Sequence, residues 1–174
     1  YEESTDDGKG VTYIYDELNR VTKIVDPEGN VINKIVYDEM GRIIKQIDGL
    51  GYLSASSEEQ RYGKLFKYNL AGWLLEKRIP LKKEGSKVYY NLTTYTYDKL
   101  GRVISEKKSN EYVTKTSQPT TYNQINYEYD KNNHIIKITD TQGASIIYTY
   151  DALGNVLTQK TKLEENKYQE IGYT

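Results

Sequence analysis

The sequence predicts an all-β fold, an antiparallel meander of repeated β-hairpins, and three observations carry that prediction. There are 19 tyrosines against one phenylalanine and one tryptophan. Tyrosine is a good strand former, whereas the strong helix formers Leu and Ala are sparse. No segment shows a long apolar period of 3.6, and 13 glycines with 3 prolines punctuate the chain as turns. A short motif, an aromatic strand end followed by a turn, recurs six times.

The copies run in order along the chain. They are Tyr13–Val21, Ile35–Ile43, Phe66–Leu74, Tyr95–Val103, Tyr127–Ile135 and Tyr148–Val156, centred on Tyr15, Tyr37, Tyr68, Tyr97, Tyr129 and Tyr150. The central tyrosines stand 22, 31, 29, 32 and 21 residues apart, so the unit is about 21 residues with extra length in the middle three intervals. The residue two before each central Tyr shares its strand face, because strand side chains alternate. After the Tyr comes Asp16, Asp38, Asn69, Asp98, Asp130 or Asp151, a short side chain able to accept a backbone N–H and open a turn. Three residues on stand Asn19, Gly41, Gly72, Gly101, Asn133 and Gly154, the two residue types that most readily take positive φ. This spacing predicts a type I turn closed by a left-handed residue, and an aliphatic residue then starts the return strand.

A second turn recurs less regularly. Asp26-Pro27-Glu28-Gly29 has proline where φ near −65° is wanted and glycine where φ must be positive. Asp48–Gly51 and Asp140–Gly143 keep the first and last positions without the proline, and are expected to turn in the same way. Polar insertions near Leu53–Gln60, Pro80–Lys87 and Lys108–Asn123 are expected as hairpin tips or loops, with residues 1–174 forming a single array. Two strands per unit give about 12 strands, and sheets beyond about 10 rarely stay flat, so the array is expected to curve. Its outer strands are expected near Val11–Asp16 and Val156–Lys162, where free backbone groups invite edge-strand self-association.

The pattern Tyr-Asp-x-x-Gly-Arg-Val followed by Asp-Pro-x-Gly resembles the YD repeat, also called the RHS repeat. Tyr15–Gly29 carries it best, with Asn19 in place of the usual glycine, and Tyr37–Gly51 is nearly as good. The Arg column holds Arg20, Arg42 and Arg102, but departs at Trp73, His134 and Asn155. The resemblance spans roughly residues 11 to 160 and implies a sheet that spirals into a hollow β-shell. In bacterial RHS and toxin-complex proteins such shells enclose a C-terminal toxin, and in teneurins a related shell serves adhesion. It therefore implies a secreted or cell-surface fragment of a larger protein, whose partners are the rest of the same shell and an enclosed cargo. A start at Tyr1 without a signal-peptide pattern fits excision from a longer chain. The family's aspartyl self-cleavage site has no clear counterpart, and Asp26, Asp48 and Asp140 are not assigned to it.

Other chemistries are weighed against this reading. The absence of cysteine excludes thiolate sites, and a single histidine, His134, speaks against a His-based triad or a multi-His metal centre. The formal net charge of −1 gives no long-range pull on nucleic acid or anionic membranes, and no apolar run spans a bilayer. One Asp per turn is too few for a calcium loop, so no metal or cofactor is expected. The pairs Glu2–Glu3, Asp6–Asp7 and Glu58–Glu59 lie in tail or loop sequence, not a defined acid–base site. His134 reads as structural, and the Arg column is expected to pair with the Asp column of a neighbouring unit. The expectation is a non-enzymatic shell segment. The alternative is a module whose exposed tyrosines stack on glycans or another cell-surface ligand.

Overall fold

A computed structural model describes residues 10–109, 111–164 and 167–173. The chain forms two compact units, residues 1–90 and 91–174, with the boundary inside one strand. The first holds β1 (Thr12–Tyr15), β2 (Val21–Val25), β3 (Val31–Tyr37), β4 (Ile43–Asp48), the short helix α1 (Gly49–Leu53), β5 (Lys64–Tyr68), β6 (Leu74–Glu84) and the start of β7 (Lys87–Tyr97). The second holds the rest of β7, then β8 (Val103–Ser109), β9 (Tyr122–Tyr129), β10 (Ile135–Asp140), β11 (Ser145–Tyr150), β12 (Val156–Glu164) and β13 (Lys167–Gly172). Within each unit the strands pair antiparallel and in sequence order. The fold is all-β, a meander. Among the described residues no helix is long and apolar enough to cross a membrane.

The six Tyr-Asp loops share one geometry. Each central Tyr pairs with the first residue of the return strand, as in Tyr15 with Val21 and Tyr150 with Val156, and the register slips by one beside the pair. That slip is a β-bulge closed by a left-handed residue. Asn19, Gly41, Gly72, Gly101, Asn133 and Gly154 have φ between 60 and 88°. The Asp or Asn backbone N–H donates to the carbonyl four residues on at 2.9–3.0 Å. Its side-chain Oδ1 accepts from the N–H four residues on, for example Arg20 at 2.9 Å and Arg102 at 3.0 Å. The side chain thus satisfies loop donors that the ladder cannot reach.

The loops opened by Asp26 and Asp140 at the opposite strand ends close in the same way. Asp26 N–H donates to Asn30 O at 2.9 Å, Asp140 N–H to Ala144 O at 3.0 Å, and Gly29 and Gly143 have φ of 88° and 85°. Two sequence motifs therefore specify one loop. Asp48–Gly51 corrects the third expectation: Asp48 caps α1, its Oδ1 accepting from Gly51 N–H at 2.8 Å, and Gly51 is not at positive φ. Glycine is needed there for space, since a Cβ would lie 2.2 Å from Tyr62 O.

The insertions differ in kind. Pro80–Lys87 is mostly strand, with β6 and β7 running to a tight tip at Gly85, φ 58°. Between β8 and β9 the Glu111 carboxylate gathers the loop, accepting from Thr120 N–H, from Thr120 Oγ1–H at 2.9 Å and from Thr121 N–H at 3.0 Å. The expected C-terminal edge at Val156–Lys162 is not an edge, because β13 pairs with β12. That strand lacks the Tyr-Asp motif and so was invisible to the repeat. Core is sparse: among the described residues the buried hydrophobics are Ile47, Tyr90, Leu92 and Val113.

Two substitutions probe these assignments. Gly101→Val places a β-branched side chain at φ 81° and is expected to lower unfolding free energy by more than about 1 kcal/mol. Gly51→Ala is expected to destabilise although its backbone is ordinary, because Tyr62 O must move. Chemical denaturation of both variants measures the effect, and unchanged midpoints would contradict the loop and packing assignments.

Candidate functional site

The feature that repeats with most chemical detail is a clasp that joins four of the Tyr-Asp loops, two in each unit, to the strand of the next repeat. It begins with the carboxylate oxygen that the turn leaves free. Asp16 Oδ2 accepts from Arg20 Nε and Nη2, each at 2.7 Å. Asp38 holds Arg42 at the same two distances, and Asp98 Oδ2 accepts from Arg102 Nε at 2.6 Å. The expected pairing of Arg with the Asp of a neighbouring unit is therefore corrected. Four residues around a tight loop bring the guanidinium back to its own aspartate at 2.6–2.7 Å.

Held in this way, each guanidinium lies over the central tyrosine of the next repeat. Arg20 sits 4.5 Å from the Tyr37 ring centre, Arg42 5.0 Å from Tyr68 and Arg102 4.6 Å from Tyr129. These are cation–π distances. The remaining guanidinium edge donates into the next loop, Arg42 Nη1 to Asn69 O at 2.7 Å and Arg102 Nη1 to Asp130 O at 3.1 Å and Asn133 Oδ1 at 2.9 Å. The tyrosine answers in the other direction. Its hydroxyl donates to the first return-strand carbonyl of the preceding repeat: Tyr37 to Val21 O at 2.9 Å, Tyr68 to Ile43 O at 3.1 Å, Tyr129 to Val103 O at 2.7 Å and Tyr150 to Ile135 O at 2.7 Å.

His134 performs the arginine's part in the fifth copy. Its Nδ1 lies 3.0 Å from Asp130 Oδ2, and its ring stacks on Tyr150 with centroids 4.6 Å apart. A Cβ on Gly154 would lie 3.0 Å from His134 Nε2, so that glycine serves both its own turn and the stacked ring. Asn155 keeps the first half of the arrangement, donating Nδ2–H to Asp151 Oδ2 at 2.9 Å. Trp73 donates its backbone N–H to Asn69 Oδ1 at 2.9 Å. In the second-type loop, Asn30 Nδ2 donates to the Asp26 carboxylate and Ala144 has no side-chain donor to offer. Pro27 occupies the second position of the Asp26 loop.

The electrostatics follow from these contacts. The Arg20 side chain holds the Asp16 carboxyl below its ordinary value, and Asn155 does so for Asp151. For Asp38, Asp98 and Asp130 burial pushes the carboxyl up, but backbone N–H and side-chain donors from Arg42, Arg102 and His134 outweigh it, with a net lowering. Burial raises the phenols of Tyr97, Tyr129 and Tyr150.

Among the described residues the other expected candidates do not gather into reacting groups. Glu58 pairs with Lys34 Nζ at 3.4 Å, and Glu2–Glu3 and Asp6–Asp7 lie outside the described residues. Among the described residues no three His, Cys, Asp or Glu side chains gather as a metal site. A groove of about 430 Å³ in the first unit is lined by Ile24, Asn33, Gln46, Lys64 and Ile79, with Asp48 already engaged as a helix cap. Sequence reasoning identified the columns but missed the carbonyls of Val21, Ile43, Val103 and Ile135, because a backbone acceptor leaves no mark on residue type.

The model of the RHS Repeat family matches residues 2–31, which contain the Asp16–Arg20 pair, and 129–163, which contain the His134 clasp. Those two stretches, 65 of the 174 residues, are similar to RHS repeats. No curated protein sequence matches the chain. Among solved structures, the Photorhabdus luminescens Tc holotoxin pore contains a chain of similar fold, with a TM-score of 0.56 and 16% identity over 87% of this chain. The crystal structure of TcdB2-TccC3 is similar at a TM-score of 0.57, again with 16% identity over 87%. In both cases the match takes up 7% of the larger chain, so this chain spans a small part of the length of those proteins.

Two measurements test the clasp. Tyr129→Phe deletes one hydroxyl and leaves Val103 O without that donor, and is expected to cost about 1 kcal/mol in unfolding free energy. The aspartate carboxyls titrate below their ordinary value of 3.8, so the unfolded chain binds more protons than the folded one as pH falls. Their stabilisation is complete above that value and is lost as pH drops through the lowered folded values. Thermal midpoints are therefore expected to fall as the pH is taken below about 4. Asp98→Asn should show a shallower fall.

Proposed function

We propose that this chain is a non-enzymatic wall segment of an RHS-repeat shell that encloses a cargo polypeptide in a larger secreted or cell-surface protein. The observation that carries the proposal is the clasp. It joins consecutive repeats whether the tyrosine and its carbonyl acceptor are 15, 16, 25 or 26 residues apart. A joint indifferent to intervening length lets an array extend strand by strand while its loops vary. An array wider than about 10 strands rarely stays flat, so continued repeats in the parent protein favour a curled, closing wall. The similar chains in the Tc holotoxin pore and in TcdB2-TccC3 support placement in a toxin assembly. On this reading the partners are further repeats of the same wall and the enclosed segment, and the mechanism is steric confinement.

The geometry weighs against glycan stacking on the tyrosine column. Tyr37, Tyr68 and Tyr129 each have one ring face under a guanidinium, Tyr150 stacks on His134, and all four hydroxyls donate to backbone. Their polar tips and one stacking face are spent on the fold. Limited proteolysis of the full-length protein containing these repeats is the test. A segment outside the array is expected to resist cleavage, and to become sensitive when Arg42→Ala and Arg102→Ala are combined. Uniform sensitivity in the unaltered protein would refute encapsulation. A saturating tyrosine-fluorescence response to simple glycans, abolished by Tyr97→Ala in a still-folded chain, would establish the carbohydrate reading instead.

A further inference from the structure

In each unit the Tyr-Asp loops project at one end of the strands, two strands apart, which spaces their tips by about 10 Å. The two central positions of these loops form no part of the clasp. Yet Leu18, Met40, Leu70, Leu100 and Leu153 stand there, between 62 and 92% exposed. The loop geometry does not ask for them. At the opposite strand ends the same loop carries Glu28 and Gln142 in the equivalent position. Among the loops of this geometry, the apolar choice is confined to the Tyr-Asp end, where all but the Lys131-Asn132 tip carry it.

The neighbouring tip position carries charge, and the two units carry opposite signs. In the first unit, Glu17 and Glu39 sit beside Leu18 and Met40, and the third tip is the neutral Leu70-Ala71. In the second, Lys99 and Lys131 occupy the same loop position in two consecutive repeats, and the third tip is the neutral Ala152-Leu153. All four charged side chains are exposed, and among the described residues none is in an ion pair. Each unit therefore presents charge, charge, neutral at the same spacing, acidic in one and basic in the other.

We infer that the loop-tip edge of the first unit docks on the loop-tip edge of the second unit of another copy of this chain, with Glu17 and Glu39 meeting Lys99 and Lys131 around the exposed leucines and methionine. Matching sign and spacing selects that occupant over an unrelated apolar partner. The contact joins different surfaces of the two copies, so it builds either a closed pair or an open string. Three loop tips bury little area, so the association is weak, and its charged part is screened by salt. This inference stands apart from the shell reading, since it concerns tips that the clasp does not use.

Sedimentation velocity of the 174-residue chain tests it. Concentration-dependent association is expected in 50 mM NaCl, weakening in 500 mM NaCl. Glu17→Lys with Glu39→Lys, or Lys99→Glu with Lys131→Glu, should each raise the dissociation constant at least about tenfold. An equimolar mixture of the two double variants should associate again, because each then offers the sign the other lacks. Circular dichroism confirms folding, and Glu17→Gln with Glu39→Gln provides a version without like-charge repulsion that should weaken association less. A strict monomer in low salt would overturn the inference. So would association untouched by either reversal, which would assign it to the exposed β1 strand, or a mixture that stays monomeric.

Discussion

The structure depends on one carboxylate doing two things at once. In the five loops opened by aspartate, Oδ1 accepts backbone N–H groups and fixes the turn, while Oδ2 holds the arginine or its substitute; Asn69 keeps only the first of these contacts. An arginine free to rotate would lose much side-chain entropy on stacking. Here the turn has already oriented it, so laying it over the next tyrosine costs little more. Local loop closure and the joint between repeats are thereby one device. This explains how a chain with four buried hydrophobic side chains among its described residues holds an ordered sheet. Part of the stabilisation that larger cores draw from burial comes instead from hydrogen bonds and ring contacts spaced along the edge.

The choice of tyrosine at the clasp positions follows from the same arrangement. Phenylalanine could fill the stacking position but would leave the return-strand carbonyl without its hydroxyl donor. Tyr129 illustrates the requirement: guanidinium on one side at 4.6 Å, Val103 O ahead at 2.7 Å. Position 134 shows how far the motif bends. Histidine replaces the guanidinium with a flat ring that still reaches the aspartate and still stacks, and Gly154 leaves room for it.

The fold was readily legible in the sequence because each loop is specified by residues within five positions. The Asx that opens it, the left-handed residue that closes it and the aliphatic residue that follows are all local choices. Legibility failed where space or distance decided the outcome. Asp48–Gly51 has the letters of a turn, yet Tyr62 O presses on Gly51 and the segment coils into α1. β13 carries no repeat signature, so only its pairing with β12 reveals it. The clasp was half legible. Its columns were visible, but a same-repeat Asp–Arg pair and a cross-strand pair look identical in one dimension, and the carbonyl acceptors are independent of residue identity.

The two ends of the strands have different freedoms. Every Tyr-Asp loop has the same length, whereas the opposite ends accommodate a helix with a long connection after β4, a tight tip after β6 and a twelve-residue span before β9 at 110–121. Added chain there leaves the clasp untouched, because the stitched margin lies at the other end of each strand. Such a sheet behaves like cloth with one hemmed border and one fringe. New binding loops can be grown from the fringe, one hairpin at a time, while the hem keeps the weave in step.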